Sequence, residues 1–210
     1  MQILEHIVHS NIMRHYANNN ILYNSQHGFC QKRSCETQLV STTHDIASNL
    51  ENGAQVDVIL LDFSKAFDKV PHQRLLHKLQ YYGVQDNTLR WIESFLQDRK
   101  QEVLLDGIYS LPEDVTSGVP QGTVLGPLLY LTYTNNLTTV VQNSLTKLFA
   151  DDCLLLKAIY KDNYQEDIQK NLTSLENWDG KWSSIPPNAQ SFKLPVNEQG
   201  KPPTYYTEKH

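Results

Sequence analysis

Three aspartates stand in apolar surroundings. Asp62 closes the run Val58-Ile-Leu-Leu61, and Asp151-Asp152 lies between Phe149-Ala150 and Cys153-Leu-Leu-Leu156. An ionised carboxylate withdrawn from water is costly unless a cation compensates it, and no lysine or arginine adjoins any of the three. Gathered at the ends of neighbouring strands, such acids would repel unless divalent metal lay between them. Ligands that are all oxygen suit magnesium, which takes a few carboxylates together with substrate phosphates. Two such ions about 4 Å apart activate a hydroxyl and steady a leaving phosphate oxygen in an in-line displacement. Each piece alone has an ordinary structural reading: Asp-Asp favours a surface turn, and Asp62 could cap a helix from Ser64 onward. Spacing does not by itself bring positions 62 and 151 together.

A second candidate is Ser117-Gly-Val-Pro-Gln-Gly-Thr-Val-Leu-Gly-Pro127, a loop with three glycines that runs into an apolar helix. Glycine lets backbone approach a ligand closely, and Gln121 can both donate and accept toward a sugar or base edge. The lysine and spacing of a Walker loop and the G-x-G-x-x-G dinucleotide fingerprint are both absent.

The elements that must position these residues follow from periodicity. Helical patterns run over 3–16, 36–50, 87–97 and, after Pro71, through Leu75, Leu76, Leu79 and Tyr82 to Gly83. In 36–50 the stripe Leu39, Val40, Thr43, Ile46, Ala47 and Leu50 forms the apolar side. Val56–Asp62 is β-branched and continuous enough for a buried strand, with Asp57 at its solvent-facing start. Val103-Leu-Leu, Asp106-Gly107 and Ile108-Tyr109 predict a hairpin, since Asp-Gly suits a type I′ turn. Leu125–Leu137 is an apolar helix with Pro127 in its first turn. Leu148–Leu156 reads as a tight hairpin with two carboxylates at its bend, followed by an amphipathic helix through Ile168, Leu172, Leu175, Trp178 and Trp182. Helices and short strands without regular βαβ alternation indicate an α+β fold.

The chain has 210 residues, with 18 Lys+Arg against 23 Asp+Glu and a formal charge of −5. Its 40% hydrophobic and 20% charged residues are globular composition, which excludes bulk disorder and collagen-like repeats. No apolar run approaches the ~20 residues that span a bilayer, so no membrane partner is expected. The N-terminal sequence lacks the plan of a secretory signal. Cys30, Cys35 and Cys153 form no C-x-x-C pair, which argues against a disulfide framework or structural zinc and for a reducing, intracellular setting. The mild acidity opposes non-specific nucleic-acid binding by the domain as a whole.

The ordered set Leu61-Asp-Phe-Ser-Lys-Ala-Phe-Asp68, Ser117-Gly-Val-Pro-Gln-Gly122 and Phe149-Ala-Asp-Asp152 resembles the catalytic motifs of reverse transcriptases, and most of all those of LINE-type non-LTR retrotransposons. Leu4-Glu-His-Ile-Val8, Gln26-His-Gly-Phe29, Arg33-Ser-Cys-Glu-Thr-Gln-Leu39 and Trp178-Asp-Gly-Lys-Trp182 extend the resemblance over about residues 3–182. Three motifs in order at family spacing are highly specific. The resemblance implies a right-hand polymerase palm, an antiparallel sheet packed on helices, with partial helical fingers and no thumb: 1–55 partial fingers, 56–182 palm with interleaved fingers helices, and 183–210 a divergent, poorly ordered tail rich in proline. It implies that Asp62, Asp151 and Asp152 hold two Mg2+ ions, with help from the Phe63 carbonyl. Phe67 would bar a 2′-hydroxyl, Gln121 would contact the incoming nucleotide, and Gly118, Pro120 and Gly122 would shape the loop beside template and primer. Arg33 would lie in the fingers near the triphosphate, although Cys30 stands where the family usually carries arginine after Gly-Phe. Asp68 would form a salt bridge or a cap.

The activity implied is RNA-directed DNA synthesis with an RNA template, a DNA primer and deoxynucleoside triphosphates, by a fragment of a retrotransposon polyprotein. The basic, duplex-gripping parts would be those absent, which reconciles the acidic balance with that activity. Two rivals remain from the residues: an inactive or domesticated remnant that only binds nucleic acid, and a metal-dependent phosphohydrolase using the same acids.

Overall fold

A computed structural model of the chain describes residues 2–160, 164–182 and 188–194. In chain order the elements are α1 (Gln2–Asn18), α2 (Cys35–Glu51), β1 (Gln55–Asp62), α3 (His72–Tyr81), α4 (Asp86–Leu96), the short strands β2 (Lys100–Gln101), β3 (Leu104–Leu105), β4 (Ile108–Tyr109) and β5 (Glu113–Asp114), then α5 (Leu125–Thr134), a 3-10 turn (Asn135–Val140), β6 (Leu145–Phe149), β7 (Asp152–Ile159), α6 (Tyr164–Trp182) and β8 (Asn188–Leu194). The fold is α+β, as the pattern predicts. Two compact units interleave along the chain: residues 2–22 with 65–134, and residues 23–64 with the described part of 135–210. No helix among the described residues is long and apolar enough to cross a membrane.

The second unit is built on a four-stranded sheet in the order β6-β7-β1-β8, antiparallel throughout. β1 is a central strand paired on both edges; its Val-Asp-Val-Ile core is buried and only Leu60 and Asp62 are exposed. Helix α2 begins with a capping box, Ser34 and Thr37 each bonding the other's backbone N–H. Its Ile46 and Leu50 pack on Val56, Val58 and Leu156. Lys147 of β6 is buried and ion-paired to Asp45 of α2, and its Nζ also donates to Ser41 Oγ at 2.7 Å.

Three expectations change here. Leu39 and Val40 are 65% and 71% exposed rather than inward, because helical periodicity fixes which side is apolar and not how much of the helix length is covered. Asp57 is buried and accepts from Gln55 Nε2 at 2.8 Å, since the strand's start is not a free edge. Within the expected tail, residues 188–194 form β8, which pairs with β1 from Val56–Leu194 to Asp62–Asn188. The remaining edge of β1 carries backbone groups that need partners, and Phe192-Lys-Leu194 has strand alternation. The rest of the expected tail, 183–187 and 195–210, lies outside the described residues.

The first unit is helical. Every residue of α5 except Pro127 is buried, in keeping with a sequence apolar all round. Its start is held by Glu5 of α1, a buried carboxylate that accepts the N–H groups of Val124 and Leu125 at 3.1 and 3.4 Å. Tyr16 Oη and Thr132 Oγ1 share a hydrogen bond of 3.0 Å. The Asp106-Gly107 turn has φ of +50° and +82°, as type I′ requires.

Lys78 of α3 is buried, donates to the Tyr133 carbonyl near the end of α5, and lies 4.7 Å from the centre of the Tyr133 ring. Burial pushes its amine down to about 7. The unfolded lysine titrates near 10.4, so between the two values the unfolded chain binds more protons and stability rises with pH; below about 7 the full cost remains. We expect denaturant unfolding to show greater stability at pH 9.5 than at pH 7.5, with a slope of no more than about 1.4 kcal/mol per pH unit from this group. Lys78→Met should lose this slope; a slope unchanged by that substitution excludes the assignment.

Candidate functional site

The register of β1 against β7 sets Asp62 directly opposite Asp152. On the other side of β7, Phe149 pairs with Asp152, which leaves Ala150-Asp151 as a two-residue turn. The convergence that spacing left open is therefore produced by two ladders sharing one strand. Asp62 and Asp152 are exposed and Asp151 is half-buried. The apolar sequence around them predicts withdrawal from water; instead the acids terminate their strands where the core ends. The Asp152 carboxyl is nonetheless raised above the ordinary aspartate value, by partial burial first and then by the charges of Asp151 and Asp62. The three acids share one electrostatic environment.

Among the described residues no three His, Cys, Asp or Glu side chains form a preformed metal cage. The donor set still fits a hard divalent cation, because it is all oxygen, faces solvent and carries mutually repelling charge. Magnesium in particular binds through one or two carboxylates plus substrate phosphates rather than a closed protein cage.

The glycine-rich loop belongs to the helical unit, where it is fastened to the last residues of the first motif and to Val70 just beyond them. Gly118 N–H donates to the Val70 carbonyl at 2.8 Å, and Val119 N–H to the Phe67 carbonyl at 2.8 Å. Ser117 Oγ donates to the Asp68 carbonyl at 2.9 Å, and His72 Nε2 bonds the Gly118 carbonyl at 2.8 Å. Gly118 has φ +89°, and a Cβ there would lie 2.6 Å from the Asp68 carbonyl oxygen. Pro120 is buried, whereas Gln121 and Gly122 are exposed. Gln121 Nε2 donates to Asp68 Oδ1 at 2.9 Å, so Asp68 orients the exposed amide.

The other expected residues are placed as follows. Phe63 is half-buried directly after β1. Phe67, also half-buried, stacks on Tyr130 of α5 with centroids 4.3 Å apart and planes 14° from parallel. Arg33 directs its guanidinium at its own loop: Nη1 donates to the Asn24 carbonyl at 2.7 Å, Nη2 to Asn24 Oδ1 at 2.9 Å, and Nη1 also to the Gln26 carbonyl. Burial pushes the thiol of half-buried Cys30 up and keeps it neutral. The residues that sequence reasoning left without a role are Glu5, Gln26, Gly28 and His72. Glu5 and Gln26-His-Gly28 stand in stretches that resemble the family, but only long-range contacts reveal what they hold.

With this geometry in view, comparison with known proteins is decisive. The family model for reverse transcriptase (RNA-dependent DNA polymerase) matches residues 1–185. The chain belongs to the reverse transcriptase family. A probable RNA-directed DNA polymerase from transposon BS of Drosophila melanogaster is 32% identical over 179 residues, 77% of this chain and 19% of that protein. The RNA-directed DNA polymerase from mobile element jockey of Drosophila funebris is 29% identical over 192 residues, 87% of this chain and 21% of the relative. The resemblance to retrotransposon reverse transcriptases is thus borne out, and the chain spans about a fifth of these relatives' length. Among solved structures, apo telomerase from Candida Tropicalis matches with a TM-score of 0.61 at 12% identity, covering 96% of this chain and 41% of that one. Telomerase from the same organism in complex with a telomeric RNA fragment gives a TM-score of 0.64 at 11% identity, covering 88% and 33%. At such identity the likeness concerns the fold, and it supports a partial reverse-transcriptase palm.

Two predictions follow for this reverse transcriptase domain. Gly118→Ala should destabilise by about 2 kcal/mol or more, through left-handed strain plus collision with the Asp68 backbone. Gly122→Ala, with φ +75° and open space around it, should cost only about 1 kcal/mol; equal losses in thermal unfolding would remove the fastening role. Because the folded pKa of Asp152 is raised, wild-type stability falls as pH rises from the unfolded aspartate value to the folded one, and the whole loss persists above it. Asp152→Asn should therefore raise the unfolding midpoint at pH 7 without divalent cations, and the gain should shrink as pH is lowered toward 4.

Proposed function

We propose that this chain is the palm, with part of the fingers, of an RNA-directed DNA polymerase that adds deoxynucleotides to a primer 3′-hydroxyl. The observation that carries the reading is the pairing of Asp62 with Asp152, beside Asp151, in one field of negative charge at the end of an antiparallel ladder. Residues 1–55 are assigned to the fingers, 56–182 to the palm and 183–210 to a divergent tail, and the three free thiols suit an intracellular setting. The family membership and the names of the relatives support an RNA template, a DNA primer and deoxynucleoside triphosphates as partners.

In this reading Asp62, Asp151 and Asp152 would hold two magnesium ions, helped by the Phe63 carbonyl. Bound there, the cations would supply Lewis-acid compensation of charge at the reacting phosphate. The chain's own residues do the rest by orientation. Phe67, its ring stacked on Tyr130, would be the residue that bars a ribose 2′-hydroxyl. Gln121, aimed by Asp68, contacts the incoming nucleotide. Gly118, Pro120 and Gly122 would shape their loop for template and primer.

One observation favours the second reading, a remnant that binds nucleic acid without extending it. The guanidinium of Arg33 is committed to Asn24 and Gln26, and Cys30 brings no cation to replace it. The deciding experiment is primer extension by the full chain on an RNA template with magnesium and deoxynucleotides. We expect extension by the wild type and a loss on the order of 10²–10³-fold for Asp62→Asn and for Asp151→Asn, with circular dichroism unchanged. Extension retained in both variants overturns the role of the acids. Template binding without wild-type extension selects the remnant, and phosphate release from small esters without template selects the phosphohydrolase.

A further inference from the structure

The segment preceding α2 has no role in the reaction above, yet it is bonded to the turn that carries two of the three acids. Gln26 is buried and forms a parallel bridge with Leu148 on the outer edge of β6. His27 N–H donates to the Leu148 carbonyl and Leu148 N–H to the Ser25 carbonyl, both at 2.8 Å, so that edge does not end in solvent. The Gln26 side chain then reaches the turn itself. Its Oε1 accepts from Gly28 N–H at 2.8 Å and from Ala150 N–H at 3.0 Å, while its Nε2 donates to the Ala150 carbonyl at 3.2 Å. A single amide thus satisfies both backbone groups of Ala150.

Ala150 needs that support. Its φ is +55°, a region an L-residue with a Cβ enters only at a cost and keeps only when its surroundings over-determine it. It directly precedes Asp151 and Asp152, so its dihedrals set the direction in which the turn delivers both carboxylates. The approach is close enough that a Cβ on Gly28 would lie 2.2 Å from Ala150 N. Arg33 closes the bracket from behind through its bonds to the carbonyls of Asn24 and Gln26.

We infer that Gln26 is a positioning residue for the acidic turn: by bonding both backbone groups of Ala150 it holds the left-handed bend that brings Asp151 and Asp152 to Asp62 as a cation site. The inference rests on the proposed reading of those acids as cation ligands, and it gives the Gln-His-Gly stretch a task within that site. A glutamine that merely filled its own hydrogen-bonding needs would leave cation affinity untouched when removed.

The test uses the full chain, with amide hydrogen exchange at Ala150 and Mn2+ affinity read by electron paramagnetic resonance. In Gln26→Ala we expect the Ala150 amide to exchange at least tenfold faster and Mn2+ to bind about tenfold more weakly, while the β1–β7 amides, such as that of Ile59, keep their protection. Gly28→Ala should act in the same direction by displacing Ala150 with Gln26 intact. If Gln26→Ala also opens the ladder, Gln26→Glu decides: it keeps an acceptor for both N–H groups, so Ala150 protection should persist, and its loss overturns the bracket. Mn2+ affinity that falls in Asp62→Asn but not in Gln26→Ala or Gly28→Ala removes the inference and leaves the site standing. Mn2+ affinity indifferent to Asp62→Asn removes the reading of the acids and the inference together.

Discussion

Repulsion among three carboxylates has to be overcome by whatever places them together, and here that agent is the burial of the strands behind them. Side chains alternate faces along a strand, so slipping β7 by one residue against β1 would move each of its side chains to the opposite face. Leu61 and Cys153, the pair immediately behind Asp62 and Asp152, are 2% and 1% exposed and resist such a slip. The same alternation continues through Ile59 opposite Leu155, both buried. The acids are therefore fixed by residues that have no chemistry of their own. The Asp152 carboxyl, raised by partial burial first and then by the charges of Asp151 and Asp62, shows the local cost of a register that the core imposes.

Where the ladder stops, the chain relies on side chains bonding backbone. In the sheet unit Gln26 reaches both polar groups of Ala150, and in the helical unit Glu5 satisfies the first N–H groups of α5 while His72 and Ser117 anchor the glycine-rich loop. Each loop also depends on a glycine that abuts foreign backbone: Gly28 against Ala150 and Gly118 against Asp68. Neither is a flexible joint. Both are positions where a methyl group would displace the main chain that carries functional residues, which is a packing reason for glycine rather than an entropic one.

Much of this was legible in the sequence. β1, the hairpin around Ala150-Asp151, the Asp106-Gly107 turn and the wholly apolar α5 each announce themselves through local period and turn chemistry. The motifs that resemble reverse transcriptases named the right family. What remained hidden depends on contacts distant in the chain. Asp57 looked solvent-facing because nothing local reveals that β8 covers the far edge of β1. Leu39 and Val40 looked inward because a stripe shows a face but not where its partner ends. Gln26 is a polar residue in a loop, unremarkable until Ala150, 124 residues later, is found on its amide. The charge of Arg33 is visible in the sequence, whereas its bonds to Asn24 and Gln26 are not.

The distribution of positive charge supplies the last step. Lys147 is paired with Asp45, Lys157 with Asp167 at 2.9 Å, and Lys100 and Lys170 with Asp114 and Glu166. Arg33 is held by its own loop, and Lys78 is buried on a carbonyl with its amine pushed down to about 7. Among the described residues, none of the ion pairs reaches Asp62, Asp151 or Asp152. The fold thus pairs Lys147 and Lys157 internally, while among the described residues the three acids at the solvent-facing strand end take part in no ion pair. A multivalent cation can compensate several carboxylate oxygens at once, which a single exposed lysine, paired only weakly in water, cannot.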